Sequence, residues 1–153
     1  MSVFLKRSAV ALAVLLLAGC TSNQTMHATP AAATTRSFSA TMTGGQEVPP
    51  TPSPGTGTAS ATLDPDGTLH WTVSYQNLSG PATAAHFHGP ATPGMNAGVV
   101  VNIGGPTPGN PMQGTAHLNP TQIADLVAGR WYVNVHTAAN PNGEIRGQVV
   151  AAP

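Results

Sequence analysis

Alternation of apolar and polar residues dominates the chain beyond residue 35. In the stretch LHWTVSY at residues 69–75, and again in WYVNVHT at 131–137, every second side chain is apolar. A period of two is typical of a β-strand with one buried face. Weaker alternation or short apolar runs predict further strands at residues 36–43, 58–63, 82–88, 99–103, 113–118 and 144–150. Turn-forming residues separate them, so the pattern predicts an all-β fold: a single antiparallel β-sandwich or barrel of about seven or eight strands.

One stretch has helical periodicity instead. Asn119 is a favourable N-cap, Pro120 suits the first helical position, and Gln122 completes a capping-box pattern. Apolar residues at 123, 126 and 127 then share one face, and Gly129 supplies a stop. The sequence therefore predicts one short helix at about residues 120–128.

The N-terminal segment has the features of a targeting signal. Lys6 and Arg7 precede an apolar run at residues 9–17 that is too short to span a bilayer. The tetrapeptide LAGC at residues 17–20 resembles the lipobox of bacterial lipoproteins. This resemblance implies cleavage before Cys20 and attachment of acyl chains, such as palmitate, to that cysteine.

The resemblance to lipoproteins also implies a location. Several acyl chains on one residue hold a protein firmly on a membrane, whereas a single chain does so only marginally. Thr21, which is not Asp, favours the outer membrane of a bacterial cell envelope, with the protein facing the periplasm or the cell surface. The expected division of the chain is a lipoprotein signal peptide at 1–19, lipidated Cys20 with a flexible tether at 20–35, and one β-sandwich domain at 36–151.

Composition excludes some classes of function. The formal net charge is zero and only 7% of residues are charged, so a basic surface for nucleic acid is not expected. Cys20 is the only cysteine, which excludes a disulfide within the chain. The sequence contains neither a Gly-x-Ser-x-Gly motif nor a phosphate-binding loop, so an ordinary hydrolase is disfavoured.

The residues best suited to chemistry lie in the strand predicted at 82–88. His86 and His88 are two residues apart, so their side chains leave the same face of a strand, with Cα atoms roughly 6–7 Å apart. Gly89 and Pro90 end this strand at once. Two imidazoles in this arrangement can close around one metal ion.

Several phrases together resemble the CHRD domain, a module named after its repeats in chordin and also found singly in bacterial proteins. They cover about residues 37–150 and follow the family's order. The resemblance implies the fold of the domain but little chemistry. The phrases are GQEVPP at 45–50, AHFHGPA at 85–91 with NAGVV at 96–100, YVNVHT at 132–137 and NPNGEIRGQ at 140–148.

The His-x-His strand also resembles, more weakly, part of the copper site of copper/zinc superoxide dismutase, which is a β-sandwich. The counterparts here are His86, His88 and His136. That enzyme needs a fourth copper histidine and a separate zinc cluster, and His27, His70 and His117 show no such grouping. The likeness therefore does not imply dismutase activity.

Two interpretations of the three histidines follow. In the first, His86, His88 and His136 bind one transition metal, copper being the first candidate outside the cytoplasm and zinc another, and Met95 or Met112 could add a thioether. In the second, the same histidines hydrogen-bond to loop carbonyls and hold the Gly/Pro loops in place.

Four polar residues are candidates for supporting such a site. Glu47, Asn134, Glu144 and Arg146 could orient a ligating imidazole or shift its pKa. Glu144 and Arg146 are two residues apart and face the same side of a predicted strand, so a structural role is favoured, as a Glu–Arg pair or with either residue bridging to a neighbouring loop. Asn134 shares the face of His136 and could orient a ligand or bond a turn.

Three classes of function remain open. The first is a metal-binding lipoprotein of the cell envelope. The second is a structural or adhesive module that binds a protein or glycan partner and has no catalytic residues. The third is a metal-dependent oxidoreductase. Stoichiometric metal separates the first and third from the second, and redox turnover separates the third from the first.

Overall fold

The computed structural model describes residues 34–105 and 108–153. Cys20, the signal peptide and nearly all of the tether lie outside the described residues. The described residues form eight strands, one α-helix and a short 3-10 turn at Gly44–Gln46. These elements are β1 (Arg36–Thr43), β2 (Thr56–Leu63), β3 (Thr68–Gln76), β4 (Ala82–His88), β5 (Val99–Asn102), β6 (Met112–His117), α1 (Pro120–Val127), β7 (Trp131–Thr137) and β8 (Ile145–Ala151).

All eight strands join one antiparallel sheet in the order β5-β4-β7-β8-β1-β2-β3-β6. The sheet curls on itself, so that strands far apart in the strand order come into contact. The ring of Trp71 in β3 lies 5.9 Å from that of Phe87 in β4, although several strands separate β3 from β4 in the sheet. The result is a nearly closed barrel with β5 and β6 at its two edges. The prediction of an all-β antiparallel fold with about seven or eight strands and one short helix is confirmed.

Inward-facing side chains fill the barrel. Trp131, Phe87, Met42 and Leu69 are among its largest fully buried side chains. Burying a large apolar side chain contributes roughly 1.5–3 kcal/mol, so these positions account for much of the stability of the fold. Met112 is also in this core, at 4% exposure, and it packs as a core residue of β6.

The helix begins as the sequence predicts. The Asn119 side chain accepts a hydrogen bond from the Gln122 backbone N–H, and the Gln122 side chain accepts one from the Asn119 backbone N–H. Leu126 is the buried anchor of the helix, and Gly129 has a φ of 69° just beyond its end. Among the described residues, no helix combines the length and apolar character needed to cross a bilayer.

Strand β7 departs from the expected half-exposed pattern. Trp131, Val133 and Val135 face the core as predicted, but all seven residues of the strand are buried. Loop residues cover its outer face: the carbonyl oxygen of Ala97 accepts a hydrogen bond from the Tyr132 hydroxyl, and that of Pro141 accepts one from His136. A second, polar layer of packing therefore lies between the sheet and its loops, and the candidate site is in that layer.

Candidate metal centre

Strands β4 and β7 bring three histidines together on the outer face of the sheet. In the antiparallel register His86 lies opposite Asn134, His88 opposite Tyr132, and Ala84 opposite His136. One ring nitrogen from each histidine lies within 4.8 Å of those from the other two. The histidines that the sequence groups as His86, His88 and His136 therefore form one cluster.

The closest contact in the cluster joins His86 and His136. His86 Nδ1 is 3.0 Å from His136 Nε2, and His136 Nδ1 is 3.0 Å from the carbonyl oxygen of Pro141. Because a carbonyl only accepts, Nδ1 of His136 carries the proton and Nε2 carries a lone pair in the neutral ring. His86 Nδ1–H then donates to that lone pair.

His88 is buried and has a partner at each ring nitrogen. Its Nδ1 is 3.0 Å from the carbonyl oxygen of Ala97, and its Nε2 is 3.1 Å from Oδ1 of Asn134. The ring stacks on Tyr132 with a centroid distance of 4.7 Å and an interplanar angle of 3°. Arg146 also packs on Tyr132, with its guanidinium carbon 3.4 Å from the ring centroid.

Burial favours the neutral form of all three imidazoles. It lowers the pKa of His86 to about 4, and the neighbouring charges of His136 and His88 act in the same direction. Burial likewise lowers the pKa of His88, against hydrogen bonds to Ala97 and Asn134, and that of His136, against its bond to Pro141. At neutral pH the cluster therefore holds uncharged rings, the form in which histidine binds metals.

Arg146 anchors the loop that covers His88. Its Nη1 donates to Asn96 Oδ1 at 2.8 Å and its Nη2 donates to the carbonyl oxygen of Met95 at 2.6 Å. The side chain is buried and forms no ion pair with Glu144, so the predicted pair is wrong, whereas the predicted bridge to a neighbouring loop does form. The spacing places both residues near one strand, but each side chain finds partners in a different loop.

Glu144 is fully buried and bound by hydroxyl and amide donors. Its carboxylate accepts from Ser53 Oγ, from Ser79 N and Ser79 Oγ, each at 2.6 Å, and from Thr137 Oγ1. Although burial opposes ionisation, these donors together lower the pKa of Glu144 to about 2. Glu144 therefore ties two loops to β7 and bonds none of the histidines. Ser53 and Ser79 could not be predicted from the sequence, because a lone serine in a loop carries no pattern.

Glu47 lies behind the cluster, next to Asn134. It is 5% exposed, and its Oε1 has no hydrogen-bond partner. A Cβ at Gly143 would collide with Glu47 Oε1 and would lie 2.8 Å from Asn134 Nδ2, so the two polar groups border the same small space. Burial raises the pKa of Glu47 to about 7, against the opposing charge of Arg146. Asn134 thus stands between Glu47 and His88.

The remaining candidates lie apart from the cluster or at its margin. His70 is at the surface, where its Nε2 is 3.1 Å from Asp64 Oδ2, and His117 is exposed. The side chain of Met95 is 60% exposed. Tyr132 is a residue of the cluster that sequence reasoning missed, although its place on the face of Asn134 and His136 was visible from the alternation.

A family model described as "CHRD domain" matches residues 38–149. The chain belongs to the CHRD domain family. No curated protein and no solved structure matches the chain. The matched part of the CHRD domain contains His86, His88 and His136, together with the loops that supply Ala97 and Pro141. The whole cluster is therefore inside the family's module and not in an added segment.

Proposed function

We propose that this CHRD domain binds one transition metal ion through His86, His88 and His136, with copper as the first candidate and zinc as the second. The observation that carries the proposal is the 3.0 Å distance between His86 Nδ1 and His136 Nε2, with the third ring within 4.8 Å. Two imidazole nitrogens this close, in a polar layer covered by loops, share one proton in a hydrogen bond. A metal ion that binds both nitrogens replaces that proton.

The spacing of the first two nitrogens favours copper. Metal–nitrogen bonds of about 2.0–2.1 Å and nitrogens 3.0 Å apart subtend an angle of about 90° at the metal. Tetragonal Cu(II) and Ni(II) prefer that angle between neighbouring ligands, whereas a tetrahedral zinc ion would need the nitrogens roughly 3.3–3.4 Å apart. Zinc is therefore accommodated only after a small movement of one ring.

Backbone carbonyls orient two of the rings. The Nδ1 atoms of His88 and His136 donate to the carbonyl oxygens of Ala97 and Pro141, which leaves each Nε2 as the atom available to a metal. Metal-ligating histidines commonly donate their second ring N–H to such an acceptor, and this fixes both tautomer and orientation. The same bonds also fit the alternative in which the histidines only hold the loops.

Metal titration of the purified protein tests the site. The unsubstituted protein is expected to bind one equivalent of Cu(II), measured by calorimetry and by elemental analysis after desalting. His86→Ala and His136→Ala each remove one of the closest ligands and are expected to weaken binding by at least 10-fold to 100-fold. His70→Ala removes a surface histidine and is the matched control, for which unchanged binding is expected. Equal binding by all four proteins would refute the site.

One observation favours a second candidate function, a non-enzymatic envelope module that binds protein or glycan. Both ring nitrogens of His88 already have partners, in Ala97 and Asn134, without any metal. A histidine satisfied in this way can act purely as a loop anchor. If the purified protein binds no metal and the alanine variants lose only stability, this second function is supported.

The attachment of the domain to the envelope is part of the proposal. Lys6 and Arg7, the apolar run after them and the sequence LAGC at residues 17–20 support a lipidated Cys20, with the protein held at the outer membrane. Labelled palmitate is expected to enter the protein, and Cys20→Ser is expected to abolish that incorporation, whereas Ser22→Ala is expected to leave it unchanged. Mass spectrometry of a mature N-terminus without acyl groups would contradict the anchor.

A further inference from the structure

The Nε2 atom of His88 decides whether the third histidine can join a metal site. The Nδ1 atom of this ring faces the carbonyl oxygen of Ala97, which can only accept a hydrogen bond. Nδ1 therefore carries a proton, and in the neutral ring the one lone pair is on Nε2. Asn134 occupies the space in front of that lone pair, with its side-chain amide 3.1 Å from Nε2.

The hydrogen-bonding rules restrict what Asn134 can do there. A neutral imidazole has one N–H, so it cannot donate both to Ala97 and to an amide oxygen. The amide of Asn134 has the same shape when turned over, and in that orientation its NH₂ group donates to Nε2. When His88 is neutral, Asn134 thus donates a hydrogen bond to the lone pair that a metal would use.

We propose that Asn134 is a positioning residue that caps His88 and controls its entry into the metal site. The inference rests on the proposed metal-binding function. His86 and His136 bind the ion first, and His88 joins when its Nε2 exchanges the Asn134 amide for the metal. Asn134 therefore lowers the affinity of the site, because the ion must displace a buried hydrogen bond before it gains its third imidazole.

Glu47 provides a hydrogen-bond acceptor for the displaced amide of Asn134. Its Oε1 borders the same space as the end of the Asn134 amide that points away from His88, a space left open because residue 143 has no side chain. When His88 releases the amide and the amide turns back, its N–H therefore has an acceptor in Glu47.

The direction of one affinity change tests the proposal. Asn134→Leu keeps the size of the side chain and removes the cap, so Cu(II) and Zn(II) are expected to bind about 3-fold to 10-fold more tightly, the equivalent of one net hydrogen bond. A residue that merely orients a ligand gives the opposite result, because its loss weakens binding about 10-fold to 100-fold. Adding His88→Ala to Asn134→Leu is expected to abolish the gain. Asn102→Ala, on the neighbouring strand opposite His86, is the control for an asparagine that bonds none of the rings.

Nitrogen-15 NMR of the unsubstituted protein tests the same exchange without relying on a variant that folds. On addition of Zn(II), the side-chain NH₂ resonances of Asn134 are expected to shift together with Nε2 of His88. If His88 shifts while Asn134 does not, or if Asn134→Leu binds metal no more tightly than the unsubstituted protein, the cap is refuted while the metal site stands. If neither protein binds metal, the proposed function fails, and the cap fails with it.

Discussion

Replacing Glu144 with alanine is expected to lower the free energy of unfolding by about 3–5 kcal/mol, because donors on Ser53, Ser79 and Thr137 lose one buried charged acceptor together. Each hydrogen bond to a charged group contributes roughly 1.5–3 kcal/mol, and each donor left buried without a partner carries a further cost. Chemical denaturation followed by tryptophan fluorescence measures the change, since Trp71 and Trp131 both lie in the core.

Glu144→Gln separates charge from shape in this cluster. Glutamine keeps the size of the side chain and one carbonyl acceptor, but its NH₂ group faces donors where an oxygen is required. A loss smaller than that of Glu144→Ala but still measurable is expected. A Glu144→Ala protein as stable as the unsubstituted one would show that water replaces the carboxylate and that the cluster does not hold the loops.

The lowered pKa of Glu144 gives this stabilisation a defined pH dependence. The folded-state pKa of about 2 lies below the ordinary value of 4.5, so the ionised carboxylate is favoured in the folded state. Its contribution is fully present above pH 4.5 and is lost progressively as the pH falls towards 2, because the unfolded chain takes up the proton first. Glu144→Gln has no carboxyl at this position and is expected to lack this part of the acid sensitivity.

The strands and the helix could be predicted from the sequence because their signals are local. Alternation in residues 69–75 and 131–137 reflects one apolar core, and the Asn119 capping box closes within four residues of chain. The meeting of His86 with His136 was also within reach, since two predicted strands each carried histidine on the face away from the core. Pairing of β4 with β7 could not be derived from alternation alone, because period-two patterns do not specify which strands become neighbours.

The burial of the outer face of β7 could not be predicted in the same way. It depends on two loops: Asn96 and Met95, about 50 residues away in sequence, bind Arg146, and Pro141, in the turn just after β7, binds His136. Such contacts depend on the paths of irregular segments, which composition does not encode. For the same reason, the spacing of Glu144 and Arg146 suggested an ion pair that does not form, while the serine hydroxyls around Glu144 had no sequence signal.

Gly143→Ala is expected to weaken both the fold and the metal site. Gly143 has a φ of 128°, where a side chain is strained, and its added Cβ would collide with Glu47 Oε1 and crowd Asn134 Nδ2. Strain of about 1–2 kcal/mol and overpacking of about 1–3 kcal/mol together predict a loss of about 2–5 kcal/mol in the free energy of unfolding. Because this turn also carries Pro141, the acceptor for His136, the affinity for Cu(II) is expected to fall as well.

Gly94→Ala is the matched control, since it isolates backbone strain from collision. Gly94 has a φ of 83°, but a Cβ there would meet nothing within 4 Å, so only the conformational cost of about 1–2 kcal/mol is expected. Thermal or chemical denaturation of both variants, with Cu(II) titration of each folded protein, measures the difference. Equal losses of unfolding free energy in the two variants would mean that Glu47 and Asn134 move aside for the added methyl group without cost. A larger loss at Gly143, accompanied by weaker metal binding, would show that the glycine keeps open the space these two side chains share behind His88.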